Sequence, residues 1–167
     1  GGTFNYLQEK EIYTTQVSDI TKYPEILGGR VKTLHPQICG GLLYDYKYGY
    51  PKIDPINLLI YNLYPFEEVV NKEHNYEDAI ENIDIGGVTL IRAAAKNYKH
   101  ILTITSPDDY EEVINRIQCK KIDNEMKLRY AKKAFDHILR YDMSISNYFN
   151  EFDNFISSEN SKDTHIQ

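Results

Sequence analysis

Apolar and polar positions along the chain follow two rhythms. Residues 56–61, Ile56-Asn57-Leu58-Leu59-Ile60-Tyr61, are almost continuously apolar over the length of one strand. That pattern predicts a strand covered on both faces within a parallel sheet. Residues 101–105 and 12–17 are further β-prone runs. Helical periodicity predicts segments over residues 66–72, 76–82, 87–97, from the Ser106-Pro107-Asp108-Asp109 start to about residue 119, over 124–141, and over 142–152. In the 124–141 segment, Leu128, Ala131, Phe135, Ile138 and Leu139 form the expected apolar stripe. A short polar helix with Thr3 as its cap opens the chain and runs to residue 11, and Pro24-Glu25 begin a single turn that Gly28 stops. Gly49, Pro51 and Pro55 mark loops, and the polar residues 153–167 read as a disordered tail. Strands alternating with helices predict an α/β layered domain over residues 1–152, with a mainly parallel sheet flanked by helices.

Composition narrows the function. With 167 residues, 41% hydrophobic and 26% charged, the chain has material for one core. A net charge of −6 argues against nucleic-acid or membrane-surface partners, so any basic cluster serves a small anion. No apolar run reaches membrane length and no signal-peptide pattern opens the chain, which reads as cytoplasmic. Cys39 and Cys119 stand alone and the five histidines lack ligand spacing, so neither disulfide nor metal site is expected.

The chemistry gathers in three places. Gly28-Gly29-Arg30-Val31-Lys32-Thr33-Leu34-His35-Pro36 is closed by Gly40-Gly41, and glycine pairs on both sides allow sharp turns and close approach to a ligand. If the segment is extended, Arg30 and Lys32 point to one face, with the Thr33 hydroxyl beside them, as suits a phosphorylated ligand. A glycine turn with two solvated cations is the alternative. Asn62 and Tyr64 leave the apolar strand at its carboxyl end, where ligands gather in α/β sheets, although Tyr64 also suits a tyrosine packed under a loop. Asp84 precedes Gly86-Gly87 and a helix on which Thr89, Arg92 and Lys96 share a face, so a carboxylate, a helix start and a lysine form a possible compact polar site. Commonplace roles, a glycine helix start and a solvated helix end, fit these residues too.

Four stretches in register make the pattern specific: residues 28–41, Asn62-Leu63-Tyr64-Pro65-Phe66, residues 81–87, and Ile91-Arg92-Ala93-Ala94-Ala95-Lys96-Asn97. Together they resemble the IMP cyclohydrolase domain of the bifunctional purine biosynthesis enzymes. Ser106-Pro107-Asp108-Asp109-Tyr110 and Lys133-Ala134-Phe135 fit the same pattern. The resemblance implies a methylglyoxal-synthase-like α/β fold, a homodimer, and dehydrative closure of 5-formamidoimidazole-4-carboxamide ribotide to IMP. It implies no metal or organic cofactor for that step. 10-Formyltetrahydrofolate serves the formyltransferase domain that follows in the family, and no counterpart of that domain is expected within residues 1–167.

By the same resemblance Lys32 stabilises the oxyanion, Asp84 and Lys96 relay protons, and Tyr64 hydrogen-bonds the reacting groups. Asn62 and the backbone of Ile85, Gly86 and Gly87 orient the base, while Gly1, Gly2, Thr3, Arg30 and Thr33 hold ribose and phosphate.

Two departures accompany the resemblance. Relatives carry a strand, helix and strand with a Ser-x-Ser-x-Lys phosphate loop ahead of the position of Gly1, so the first strand-helix-strand is expected to be missing. Cys39 also stands where many relatives have His. A non-catalytic nucleotide-binding or regulatory module, or an inactive fragment, is the alternative function.

Overall fold

A computed structural model describes residues 2–48 and 52–163, with side chains as far as residue 152. Gly1, assigned above to the phosphate site, and the loop signals Gly49 and Pro51 lie outside the described residues.

Two short strands organise the domain. β1 (Leu58–Ile60) and β2 (Leu102–Ile104) pair in parallel, with Leu58 opposite Leu102 and Ile60 opposite Ile104. Flanking bonds lengthen the ladder, since Leu102 N–H donates to the Asn57 carbonyl and Tyr61 N–H to that of Ile104, each at 2.9 Å. Parallel neighbours need a crossover, and three helices supply it: α4 (Phe66–Val70), α5 (Tyr76–Glu81) and α6 (Gly86–Lys96).

Ahead of β1 lie α1 (Gly2–Glu9), α2 (Val17–Thr21) and α3 (Pro36–Leu42); after β2 come α7 (Tyr110–Gln118) and α8 (Asn124–Asp163). The fold is an α/β layering around a small parallel sheet. No described helix is long and apolar enough to cross a membrane.

Helix α6 is the central packing element. Leu90 and Ala94 meet Ile38, Leu42 and Ile101 on one side, while Ile91 and Ala95 meet Ala131, Ala134 and Ile138 of α8 on the other. Its alanines permit these close approaches on both flanks. At its end, Asn97 Nδ2 donates to the carbonyls of Leu42 (2.9 Å) and Tyr44 (3.0 Å), tying α6 to the end of α3. On the far side of β2, Leu102 and Ile104 pack with Val113, Met126 and Tyr130.

Several expectations are corrected. β1 is not covered on both faces, because Leu58 and Ile60 are 37% and 50% exposed, whereas every residue of β2 is buried. Residues 12–16 form no strand; Tyr13 is 91% exposed, and a β-prone run needs a neighbouring ladder that the described residues do not place beside it. Gly40 and Gly41 close no turn but sit inside α3, where a Cβ would come within 2.7 Å of Ile53 Cδ1 and 2.8 Å of the Asp54 carbonyl. Close packing explains that glycine pair.

Thr3 lies within α1 and does not precede it, and the helix ends before Glu11, whose φ is 57°. The turn expected at Pro24 forms instead at Leu27–Gly29.

Helix α8 is one continuous element past both predicted segments, and its backbone stays helical into residues 153–163. Its buried stripe is Met126, Tyr130, Ala131, Ala134, Ile138 and Tyr141. Leu128, Phe135 and Leu139, expected in that stripe, are 52%, 39% and 59% exposed. The polar tips of Tyr130 and Tyr141 find partners, so the helix turns its tyrosine face inward.

Candidate active site

Asp84 is the anchor. It is 6% exposed, and its Oδ1 accepts the Gly87 N–H at 2.6 Å, satisfying one of the free donors at the start of α6. Oδ2 accepts the Tyr61 hydroxyl at 3.1 Å. Its backbone is held as well, since Tyr141 Oη accepts the Asp84 N–H at 2.8 Å and donates to the Asn82 carbonyl at 3.1 Å. A carboxylate at a helix N-terminus is favoured by the dipole and by charge-assisted bonds.

Glycine is required twice at this helix start. A Cβ on Gly87 would lie 2.2 Å from Tyr61 Cε1 and 2.5 Å from Asp84 Oδ2; one on Gly86 would lie 2.8 Å from Thr33 Oγ1. Replacing Gly87 by Ala is expected to lower stability by about 1–3 kcal/mol through overpacking, despite the gain in helix propensity. Urea unfolding checks this.

The Gly86 contact carries the arrangement, because it sets the Gly28–Pro36 stretch against the start of α6. A second contact fixes the other end: Arg30 pairs with Glu81 at the end of α5. Leu27, Gly28 and Gly29 have φ of 52°, 63° and 86°, so the sharp turn expected at this glycine pair is made through left-handed backbone.

Arg30 and Lys32, however, are not on one extended face. Arg30 has α-helical φ and ψ, and residues 30–33 are turns. Arg30 goes to Glu81, whereas Lys32 Nζ lies 3.0 Å from Glu25 Oε1 and holds that carboxyl below its usual range by hydrogen bond and charge. Both pairs are solvent-screened and contribute little to stability.

The remaining candidates divide. Tyr64 is 54% exposed, yet close enough for its phenol to raise the pKa of Tyr61 and Tyr141. Asn62 leaves β1, donates to the Thr105 carbonyl at 3.4 Å and accepts from the Tyr110 hydroxyl at 3.1 Å. The Ile85 carbonyl accepts the Thr89 hydroxyl at 2.9 Å.

Lys96 is not brought to Asp84. The two sit at opposite ends of the 11-residue α6, about 15 Å apart along its axis. Thr89, Arg92 and Lys96 do share an exposed face, with Arg92 5.7 Å from the Phe135 ring. Gly2 and Thr3 belong to α1, which buries none of its residues, and the structure does not join them to the others.

Sequence reasoning missed Tyr61 and Tyr141. Tyr61 ended an apolar run and read as core. Tyr141 carried no motif beyond its place on α8. Burial and the nearby Asp84 charge push the Tyr61 phenol well above its ordinary value, and burial raises Tyr141. Each has a folded pKa above its unfolded value near 10, so the stability it contributes is present below that pH and is lost as pH rises beyond it. Denaturation midpoints are expected to fall above pH 10, by about 1.4 kcal/mol per pH unit for each tyrosine that must ionise on unfolding. Tyr61→Phe should flatten that fall.

A glycine turn carrying Arg30 and Lys32 is thus docked on a glycine helix start just past the carboxyl end of a parallel strand, the place where open α/β sheets gather their ligands. The MGS-like domain matches residues 1–89, and the AICARFT/IMPCHase bienzyme family matches residues 94–167. The chain belongs to the MGS-like domain family.

Relatives named "Bifunctional purine biosynthesis protein PurH" include that of Prochlorococcus marinus (strain NATL2A), 45% identical over 156 residues, which are 89% of this chain and 30% of the relative. The protein of that name from Thermoanaerobacter sp. (strain X514) is 48% identical over 157 residues, 89% of this chain and 31% of its own length. That of Staphylococcus aureus (strain USA300) is 44% identical over 157 residues, again 89% of this chain, and 32% of the relative. The chain thus spans about a third of these relatives. A solved structure, "Crystal structure of ForH", superposes with TM-score 0.76 at 30% identity, covering 90% of this chain and 82% of that one.

Proposed function

We propose that this domain closes the ring of 5-formamidoimidazole-4-carboxamide ribotide to give IMP. Its relatives carry a purine-biosynthesis name, and the observation that supports the reading most is the Thr33–Gly86 contact, which joins the basic turn to the Asp84 helix start. In the reaction the substrate's carboxamide nitrogen attacks its own formyl carbon. A C–N bond forms, the formyl oxygen becomes a tetrahedral oxyanion, and that oxygen leaves as water with one proton from each of the two nitrogens.

The step is intramolecular and redox-neutral, so holding a near-attack conformer supplies much of the rate. Lys32 is the proposed partner of the developing oxyanion, once a substrate draws it from Glu25. Asp84, held by Gly87 N–H and Tyr61, is the proposed proton acceptor. Tyr64 stands near Tyr61 and Tyr141, and Thr33 with the Gly86 amide binds the ribotide. Lys96 has no part in this protomer's relay. The reading includes a cytosolic homodimer using no metal or organic cofactor for ring closure.

The test is IMP formation from the formylated ribotide by this chain beside its Lys32→Ala variant. Removing the charge that meets the oxyanion is expected to cost about 10²–10³-fold in turnover. Equal turnover by both would end the assignment of Lys32. A second reading, nucleotide binding without catalysis, is favoured by the Glu25 pairing of Lys32 and the remoteness of Lys96. Saturable IMP binding with no turnover would select it.

A further inference from the structure

Beyond the ends of both strands, a cavity of about 410 Å³ opens between the segments leaving β1 and β2 and the middle of α8. One wall is Lys133, His137 and Arg140, whose spacings of four and three residues place them on one face of the helix. Across from them are Ser106 and Asp108, at the turn that precedes α7.

The polar groups here are unequally satisfied. Lys133 Nζ contacts both carboxylate oxygens of Asp109 at 2.7 Å, and the Ser106 hydroxyl donates to Asp108 at 3.2 Å. Arg140 is exposed and has no ion-pair partner among the described residues. His137 Nε2 is buried with no hydrogen-bond partner among the described residues. A buried polar atom left unpaired is costly and calls for an explanation.

We propose that this cavity binds a small phosphorylated sugar, with the phosphate on Arg140 and His137 and the sugar hydroxyls on Asp108 and Ser106. A guanidinium fork and an imidazole N–H donate to phosphate oxygens, while a carboxylate accepts from hydroxyls. The volume lies at the lower end of ligand-sized pockets. Burial lowers the His137 pKa, the cations of Arg140 and Lys133 act in the same direction, and Glu67 of α4 opposes them. An added anion therefore favours the imidazolium. Asn62, at the rim, is the one residue shared with the ring-closure reading, and the site stands without that reading.

The experiment titrates the full chain with ribose 5-phosphate while the His137 ring resonances are followed by NMR, with ribose and inorganic phosphate as comparison arms. Expected are a saturable shift of His137, a titration moved to higher pH, and binding weakened at least tenfold in Arg140→Gln, an exposed change that leaves packing intact. His137→Gln should weaken binding similarly, and Lys32→Ala should leave it unchanged. Inorganic phosphate should bind more weakly, and ribose not measurably. An unmoved His137, binding indifferent to Arg140→Gln, binding lost in Lys32→Ala, or equal affinity for inorganic phosphate would each overturn the proposal.

Discussion

Asp84→Asn is expected to lower IMP formation by about 10²–10⁴-fold, the usual contribution of a positioned acid–base group, while leaving the fold intact. Asn keeps an oxygen for the Gly87 N–H, now 2.6 Å from Asp84 Oδ1, and its amide can face the Tyr61 hydroxyl, which accepts as well as donates. The backbone bond to Tyr141 is untouched. What disappears is the capacity to take a proton. Steady-state turnover beside a urea unfolding curve separates chemistry from folding. Full turnover with Asn would remove Asp84 from the proton path.

Phe66→Ala carries the largest expected loss of stability, about 3–5 kcal/mol from lost burial and the cavity left behind. Phe66 is 0% exposed and packs edge-on against Tyr141 and Tyr148, with ring centroids 6.3 Å and 5.7 Å away. Ala79, Val70, Ile83 and Val88 complete its surroundings. A domain's whole stability is roughly 5–15 kcal/mol, so this change should shift the urea midpoint severely. It also acts on function, because Tyr141 holds the Asp84 N–H and the Asn82 carbonyl in place. Phe66→Leu should be milder, about 1.5 kcal/mol, since it conserves most of the volume. A larger loss with Leu than with Ala would contradict this account of the packing.

The parts legible in the sequence are those settled by neighbours in the chain. Asp84 with Gly86-Gly87 announces a capped helix start, and Ser106-Pro107 another, whose hydroxyl does accept the Asp108 N–H at 3.3 Å. Both parallel strands were legible from their apolar runs. Features set by distant partners were not. Exposure of Leu58 and Ile60 depends on what lies over β1, which no local pattern encodes.

Gly40-Gly41 and Gly28-Gly29 look alike as letters; positive φ explains the second pair, and contact with Ile53 and Asp54 the first. Tyr61 hid in an apolar run because its ring is core while its hydroxyl is not. Spacing and resemblance both put Asp84 and Lys96 in one site, but within one protomer a helix of that length holds them apart.

The central claim is that the Gly28–Pro36 turn and the start of α6 form one ligand site. Titrating the chain with IMP while following the backbone amides of Thr33, Gly86 and Gly87 tests it most directly. The account predicts that all three move together in a single saturable event, one that Asp84→Asn leaves in place and that weakens when Thr33→Val removes the hydroxyl. Movement of Gly86 and Gly87 without Thr33, or IMP shifts confined to another part of the domain, would contradict it.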